Sequence, residues 1–231
     1  MKTAVLMAFK GAERSHVQSD QIDALKNGLG IPVLELRGCT QIDIGRSYLA
    51  TVALQHGAEV VVFIDDDMEF VPGDVPKLAD VVRETRGVAG APYSPRKMGA
   101  PQVGGFDSDL LEAGFFASGG LYLASGVIGM GFTAIHRDVF ERLDALPEYA
   151  VRRTQDGPVR PYFKKLVVDG FWLHEDASFC HAARQVGVIT QLDTRIRVKH
   201  VGAYRYGIED CLRKLEDTPG LTVRLRAEPL K

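Results

Sequence analysis

The chain of 231 residues is poor in cysteine and has only one tryptophan. Cys39, Cys180 and Cys211 are odd in number, far apart in sequence and outside any CxxC pair. This pattern argues against a disulfide framework and against a structural zinc site. It favours a reducing compartment, and we therefore expect a cytoplasmic protein.

Two further features are missing, namely an excess of basic charge and a long hydrophobic run. The 28 Lys and Arg residues are balanced by 30 Asp and Glu residues, so the formal net charge is −2. A general phosphate-binding surface is not indicated, and we expect no nucleic-acid partner. The N-terminal apolar run is too short for a signal peptide, and no segment approaches the roughly 20 apolar residues that span a bilayer. We expect no transmembrane segment.

Apolar, strand-like runs alternate with helical patterns through the first ninety residues. The runs are TAVLMAF, IPVLEL, EVVVFI and GVAGA, and the helices between them are predicted around residues 19–29, 45–56 and 74–86. This alternation predicts an α/β fold with a mainly parallel central sheet and helices on both faces. Ligands of such sheets bind beyond the carboxyl ends of the strands.

The pattern changes in the second part of the chain. After a weakly patterned stretch from residue 92, LLEAGFF and GGLYLAS could form a β-hairpin, and RDVFERLDAL predicts a helix. The polar, Pro-containing PEYAVRRTQDGPVRPYF predicts a surface loop. A helix and strand unit over EDASFCHAARQVGVITQLDTRIRVKHVG follows, and then a short helix near residues 207–216.

Three consecutive carboxylates, Asp65, Asp66 and Asp67, end the buried strand VVFI. Carboxylate oxygens are the preferred ligands of hard divalent cations, so the triplet could bind a metal. In an extended chain Asp65 and Asp67 would point to one side and Asp66 to the other. The competing interpretation is a solvated acidic turn, and the triplet alone does not separate the two.

Three more segments offer candidate site residues. Glu175 and Asp176 open a helical pattern, where they could cap the helix or act in a reaction. His200 follows an alternating, strand-like run, although a lone histidine is more often not a ligand. Gly129 and Gly131 flank a methionine where the backbone must turn tightly or approach a ligand closely.

Taken in order, VVFIDDDMEF, GMGFTAIHRDVF, WLHEDASFCHAARQVG and VKHVG resemble the GT-A fold glycosyltransferases, especially the bacterial and phage enzymes similar to glycosyltransferase family 2. The resemblance covers roughly residues 3–203. It implies a GT-A fold with a mainly parallel central sheet and a small antiparallel part on the acceptor side. It also implies one domain over residues 1–231, with a nucleotide-binding half (1–91), an acceptor-side half (92–203) and a C-terminal helix and tail (204–231).

The resemblance implies a metal site at the triplet. Asp67 matches the metal ligand, and His200 would be the second protein ligand. Asp65 would lie nearer the ribose or the metal, and Asp66 stays open between those roles. The implied cofactor is Mn²⁺ or Mg²⁺, and an imidazole beside a carboxylate favours Mn²⁺.

The resemblance also implies a donor site and a general base. The implied nucleotide-binding residues come from three segments, and they are Ala8 and Phe9, Arg46, and Gly129 and Gly131. Asp176 matches the general base of inverting members, and Glu175 would hydrogen-bond the acceptor or hold the site in place. Trp172 is an aromatic residue that could stack on a sugar or aglycone face.

The implied activity moves a sugar from a nucleotide-diphosphate donor, a UDP- or GDP-sugar, to an acceptor hydroxyl. The acceptor could be a sugar, a lipid-linked molecule or a protein. One alternative is a nucleotidyltransferase, but AFKGAERSHVQSD lacks the glycine-rich, basic N-terminal loop of that class. The other is a non-catalytic nucleotide-sugar or metal-binding domain of the same fold.

Overall fold

A computed structural model describes residues 2–10, 16–94, 119–123, 127–154, 157–202 and 205–207. The strands in these ranges are β1 (Thr3–Phe9), β2 (Val33–Arg37), β3 (Val60–Ile64), β4 (Met68–Glu69), β5 (Val88–Gly90), β6 (Leu121–Leu123), β7 (Phe132–His136), β8 (Arg152–Thr154), β9 (Gly157–Val159), β10 (Leu166–Val168), β11 (Phe171–Leu173), β12 (Thr190–Asp193), β13 (Lys199–Val201) and β14 (Arg205–Tyr206). The α-helices are α1 (His16–Asp23), α2 (Ile42–Gln55), α3 (Asp74–Thr85), α4 (Arg137–Asp144) and α5 (Glu175–Gln185).

The central sheet has seven strands in the order β2-β1-β3-β7-β5-β12-β6. β2, β1, β3, β5 and β12 run in one direction, and β7 and β6 run antiparallel to their neighbours. The prediction of an α/β fold with a mainly parallel sheet is confirmed. The carboxyl end of β3 lies near the middle of the sheet, where loops from both sides can reach it.

Helices cover both faces of the sheet, and β3 shows why. Val61 and Phe63 pack into the core that contains α2, α4 and α5, while Val62 and Ile64 pack into the core that contains α1 and α3. Alternate side chains of a strand point to opposite faces, so a strand buried on both sides must be apolar throughout. This is why the run VVVFI carries no polar residue before Asp65.

The helices begin and end close to the predicted positions, with small differences. α2 starts at Ile42, before the predicted residue 45, and α1 runs into one turn of π-helix over Ala24–Gly28. The π turn ends as Ile31 N–H donates to Leu25 carbonyl oxygen at 2.9 Å. The pattern of apolar positions does not distinguish α- from π-helical spacing over a single turn.

The prediction of a surface loop over PEYAVRRTQDGPVRPYF is wrong in part. It contains a 3-10 turn (Pro147–Tyr149) and the β8–β9 hairpin, and it buries Tyr162 and Phe163. The Phe163 ring stacks on Phe179 with ring centres 4.6 Å apart. Burial of these two rings outweighs the polar composition of the segment.

Two other predicted elements fall largely outside the described residues. Of the predicted hairpin near residues 110–124, the structure describes β6, which pairs antiparallel with β12 at the sheet edge, while LLEAGFF lies outside the described residues. Residues 208–216 of the predicted C-terminal helix also lie outside them. Within the described part of the chain, no helix is both long and apolar enough to cross a bilayer.

A small antiparallel sheet of order β14-β13-β4 stands beside the carboxyl end of β3. In its register His200 lies opposite Met68, and Val201 N–H donates to Asp67 carbonyl oxygen at 2.6 Å. Glu69 contacts both Lys199 and Arg205, which adds charge pairing across the three short strands. The small sheet therefore fixes β13 against the residues that follow the aspartate triplet.

Candidate active site

The aspartate triplet is a turn and not a continuation of the strand. Met68 N–H donates to the Asp65 carbonyl oxygen at 3.2 Å, which closes the turn. The expected alternation, with Asp65 and Asp67 on one side, is wrong because the backbone stops being extended after Ile64. The three carboxylates instead have three different partners.

Asp67 lies beside His200. His200 Nε2 is 3.1 Å from Asp67 Oδ2, and both side chains are mostly buried. His200 Nδ1 is 3.1 Å from the Ser94 carbonyl oxygen. A carbonyl oxygen only accepts, so Nδ1 carries the hydrogen and the ring is oriented with Nε2 toward Asp67. The two predicted metal ligands are thus brought together.

Asp67 and His200 together offer a divalent cation one carboxylate oxygen and one imidazole nitrogen. Among the described residues no group of three or more His, Cys, Asp and Glu side chains could hold a metal ion. A cation at Asp67 and His200 would therefore need further ligands from a bound molecule or from water, as an open site does.

Arg46 joins two other candidate residues. Its Nη2 donates to Asp65 Oδ1 at 2.6 Å, and its Nη1 donates to Glu175 Oε1 at 2.6 Å. Its side chain is 6% exposed. Burial alone would lower the pKa of Arg46, but Asp65 and Glu175 raise it above its usual range, so the guanidinium stays charged. The resemblance implies a nucleotide contact for Arg46, whereas its partners in this structure are two carboxylates.

Glu175 and Asp176 form the first turn of α5, as predicted. Ala177 N–H donates to Asp176 Oδ1 at 2.7 Å, which is a contact between neighbours inside the first turn. Burial, and then the charge of Glu175, raise the pKa of the Asp176 carboxyl above its ordinary value. A raised pKa makes a carboxylate a stronger proton acceptor, which is the property a general base needs.

Tyr93 is a site residue that the sequence did not reveal. Its ring meets His200 edge to face with centres 5.6 Å apart, and Gly131 N–H donates to its hydroxyl at 3.2 Å. A Cβ at Gly129 would lie 2.2 Å from that hydroxyl, and one at Gly131 would lie 2.8 Å from the ring. The glycines therefore make room for Tyr93. Tyr93 could have been predicted from its position shortly after β5, because ligands bind at the carboxyl ends of strands.

Gly131 also lies next to the triplet, because its carbonyl oxygen accepts the Asp65 N–H at 3.1 Å. The resemblance implies that Gly129 and Gly131 approach the donor. In the structure Tyr93 occupies the space beside both glycines. A donor contact from this segment would have to come from its backbone or from Tyr93.

The remaining predicted nucleotide-binding residues lie at the ends of β1 and β3. Asp66 Oδ2 accepts Lys10 N–H at 3.1 Å, which ties the turn to the end of β1. Ala8 is half-buried, but the Phe9 ring is buried and its carbonyl oxygen accepts Cys39 N–H at 2.8 Å. The Phe9 ring is therefore not available for stacking on a base, because it fills the core against α1 and α3.

The β10–β11 hairpin leads directly into the acidic pair. Its turn holds Asp169 and Gly170, both at positive φ, and Trp172 is 78% exposed. Trp172 and its cross-strand neighbour Val167 form an exposed apolar pair. Only Leu173 and His174 separate this tryptophan from Glu175.

Neither a protein-family model nor a curated protein matches the sequence. Among solved structures the protein is similar to A197 from STIV, with a TM-score of 0.57 and 16% identity over 100% of this chain and 97% of that one. It is also similar to GalNAc-T7 with UDP, GalNAc and Mn²⁺, with a TM-score of 0.50 and 16% identity over 94% of this chain and 48% of that one. At such identities these similarities establish the fold, which is that of GT-A glycosyltransferases.

Proposed function

We propose that the protein is a glycosyltransferase that moves a sugar from a nucleotide-diphosphate donor to an acceptor hydroxyl, aided by a divalent cation at Asp67 and His200. The observation that carries this proposal is the 3.1 Å approach of His200 to Asp67 at the carboxyl end of β3. Glu175, the residue before Asp176, is joined to Asp65 at the same strand end through Arg46. A GT-A fold with this arrangement supports a transferase.

The cation is proposed to be Mn²⁺, because of the mixed imidazole and carboxylate donor set. When bound, it would offset the charge that develops on the leaving diphosphate. The donor is proposed to be a UDP- or GDP-sugar, and the similar GalNAc-T7 structure contains UDP and Mn²⁺. The acceptor remains one of three classes, namely a sugar, a lipid-linked molecule or a protein.

Asp176 is proposed as the general base. Its Oδ1 accepts the Ala177 N–H, and we therefore assign Oδ2 to take the proton of the acceptor hydroxyl. The raised pKa of this carboxyl favours proton uptake during attack. Glu175 is held by Arg46, which leaves it the role of keeping the site in place. A single displacement of this kind inverts the anomeric configuration.

A screen of nucleotide sugars with Mn²⁺ tests the proposal. A true donor raises the unfolding temperature by mass action and is slowly hydrolysed or transferred. The anomeric configuration of the product, followed by NMR, should be inverted; retention would contradict the assigned role of Asp176. A protein that binds the donor and Mn²⁺ but never turns over would support the non-catalytic alternative, and release of pyrophosphate from an NTP would support a nucleotidyltransferase.

A further inference from the structure

We propose that Arg46 is a positioning residue that holds Asp65 and Glu175 in fixed places across the site. This inference rests on the proposed function for the roles of Asp67 and Asp176. It assigns to both carboxylates an ion pair with Arg46, which keeps the end of β3 and the start of α5 in place around the proposed reacting groups Asp67, His200 and Asp176.

The geometry supports two simultaneous contacts. The planar guanidinium offers two terminal nitrogens, and each lies 2.6 Å from an oxygen of a different carboxylate. The two carboxylates come from separate elements, because Asp65 follows β3 and Glu175 begins α5. A lysine would offer both carboxylates the same single nitrogen, so it could not keep them at the spacing that two separate nitrogens set. Arg46 therefore sets the spacing between the strand end and the helix start.

The electrostatics also favour an internal role. A buried guanidinium must be paired, and Arg46 has both partners in the protein itself. The Arg46 side chain is also only 6% exposed, which leaves a nucleotide phosphate little access to its terminal nitrogens. The arrangement therefore differs from the nucleotide contact that the sequence resemblance implies for this arginine.

Arg46 also affects Asp176 through space. Asp176 is faced by Glu175 and His174 from its own helix, by Arg46 from α2 and by Tyr93 from the segment after β5. Burial and Glu175 raise the pKa of the Asp176 carboxyl, while Arg46 and His174 lower it. Removal of Arg46 leaves Glu175 uncompensated, so the Asp176 pKa should rise further.

Stability provides a test that needs no activity. Arg46→Met should raise the unfolding equilibrium constant by about 100-fold, because it leaves two carboxylates without their cation. The neutral triple variant R46M/D65N/E175Q should recover most of that loss, since no uncompensated charge remains. Arg86→Met is the matched control, because Arg86 also pairs with a carboxylate, Asp138, but is exposed. Equal losses in Arg46→Met and Arg86→Met would overturn the proposal.

The positioning role has its own measurements. Carboxyl-carbon NMR should show the Asp176 titration at higher pH in Arg46→Met than in the wild type, with Arg46→Lys between them. Once a donor is known, Arg46→Met should lower kcat and move the acid limb of its pH profile upward, while Mn²⁺ binding by EPR persists.

A raised KM for the donor, with kcat and the Asp176 titration unchanged, would make Arg46 a nucleotide ligand and overturn the proposal. If the wild type transfers no sugar at all, the proposed function fails. The stability and NMR measurements still decide the role of Arg46 in that case.

Discussion

His200 Nε2 lies 3.1 Å from Asp67 Oδ2, and the small β14-β13-β4 sheet is the reason. β13 pairs with Met68 and Glu69, the two residues that follow the aspartate turn. His200 is therefore held in position by the backbone hydrogen bonds of a strand and does not lie on a loop. Backbone pairing of this kind fixes a ligand more rigidly than a side chain on a loop does. We therefore expect substitution of either Asp67 or His200 to weaken binding of a cation at this place.

Asp67→Asn and His200→Ala should each weaken Mn²⁺ binding. The loss should be at least the roughly 10–100-fold that follows loss of an outer partner of a metal site, since these side chains would bind the ion directly. Mn²⁺ titration followed by EPR measures the affinity. Asp66→Asn is the control within the same turn, because Asp66 contacts Lys10 N–H and not His200. An equal loss of Mn²⁺ affinity in all three variants would mean that the cation is not bound specifically by Asp67 and His200.

Asp176→Asn should lower the transfer rate by roughly 10²–10⁴-fold, the usual contribution of a general base. Asparagine keeps the size and can still accept the Ala177 N–H, but it cannot take up a proton in this role. Donor and Mn²⁺ affinities, measured by calorimetry, should be unchanged. Unaltered transfer by this variant would remove Asp176 from the mechanism.

The sheet, the aspartates and the acidic pair could be predicted because they follow local rules. A buried strand must be apolar, a strand end is where ligands bind, and an acidic pair favours a helix start. The approach of His200 to Asp67 was expected only from the family resemblance, since a lone histidine carries no local signal. The partners of Arg46 depend on three elements that meet only in the folded chain. Tyr162 and Phe163 were missed because polar residues, Gly and Pro outnumber the apolar residues in the segment around them.

Gly129→Ala should destabilise the fold by about 1–3 kcal/mol, because overpacking forces a buried group to move. The new Cβ would lie 2.2 Å from the Tyr93 hydroxyl oxygen. Urea unfolding measures the change, and the cost should be smaller in a Tyr93→Phe background, where that oxygen is absent. Gly73→Ala is the control, since nothing lies within 4 Å of its added Cβ. An identical cost of Gly129→Ala in both backgrounds would contradict the Tyr93 explanation.

Trp172 should contribute to acceptor binding without supporting the fold. As the only tryptophan and 78% exposed, it should emit like indole in water and be quenched readily by acrylamide. Trp172→Ala should raise the KM for the acceptor by roughly 2- to 10-fold, the range expected for loss of one aromatic contact, with donor affinity unchanged. Phe171→Ala is a suitable control, because neighbouring side chains of a strand point to opposite faces. Unchanged acceptor KM in Trp172→Ala would exclude this role.

The pH dependence of stability should contain a contribution from His136, the residue that caps α4. Its Nδ1 accepts the Asp138 N–H at 3.2 Å, and burial lowers the pKa of its imidazole. Because the folded pKa lies below the unfolded one, the unfolded chain takes up the proton first, and stability should fall as the pH decreases through about 6.5.

His136→Asn keeps a side-chain acceptor at the cap but removes the titration. The difference in unfolding free energy between this variant and the wild type, measured in urea from pH 5 to pH 7.5, should therefore shift in favour of the variant as the pH falls. His56→Asn is the control, since His56 follows α2 and is exposed. A constant difference between His136→Asn and the wild type across this range would mean that the imidazole titrates alike in the folded and unfolded chain, in conflict with its burial in the cap.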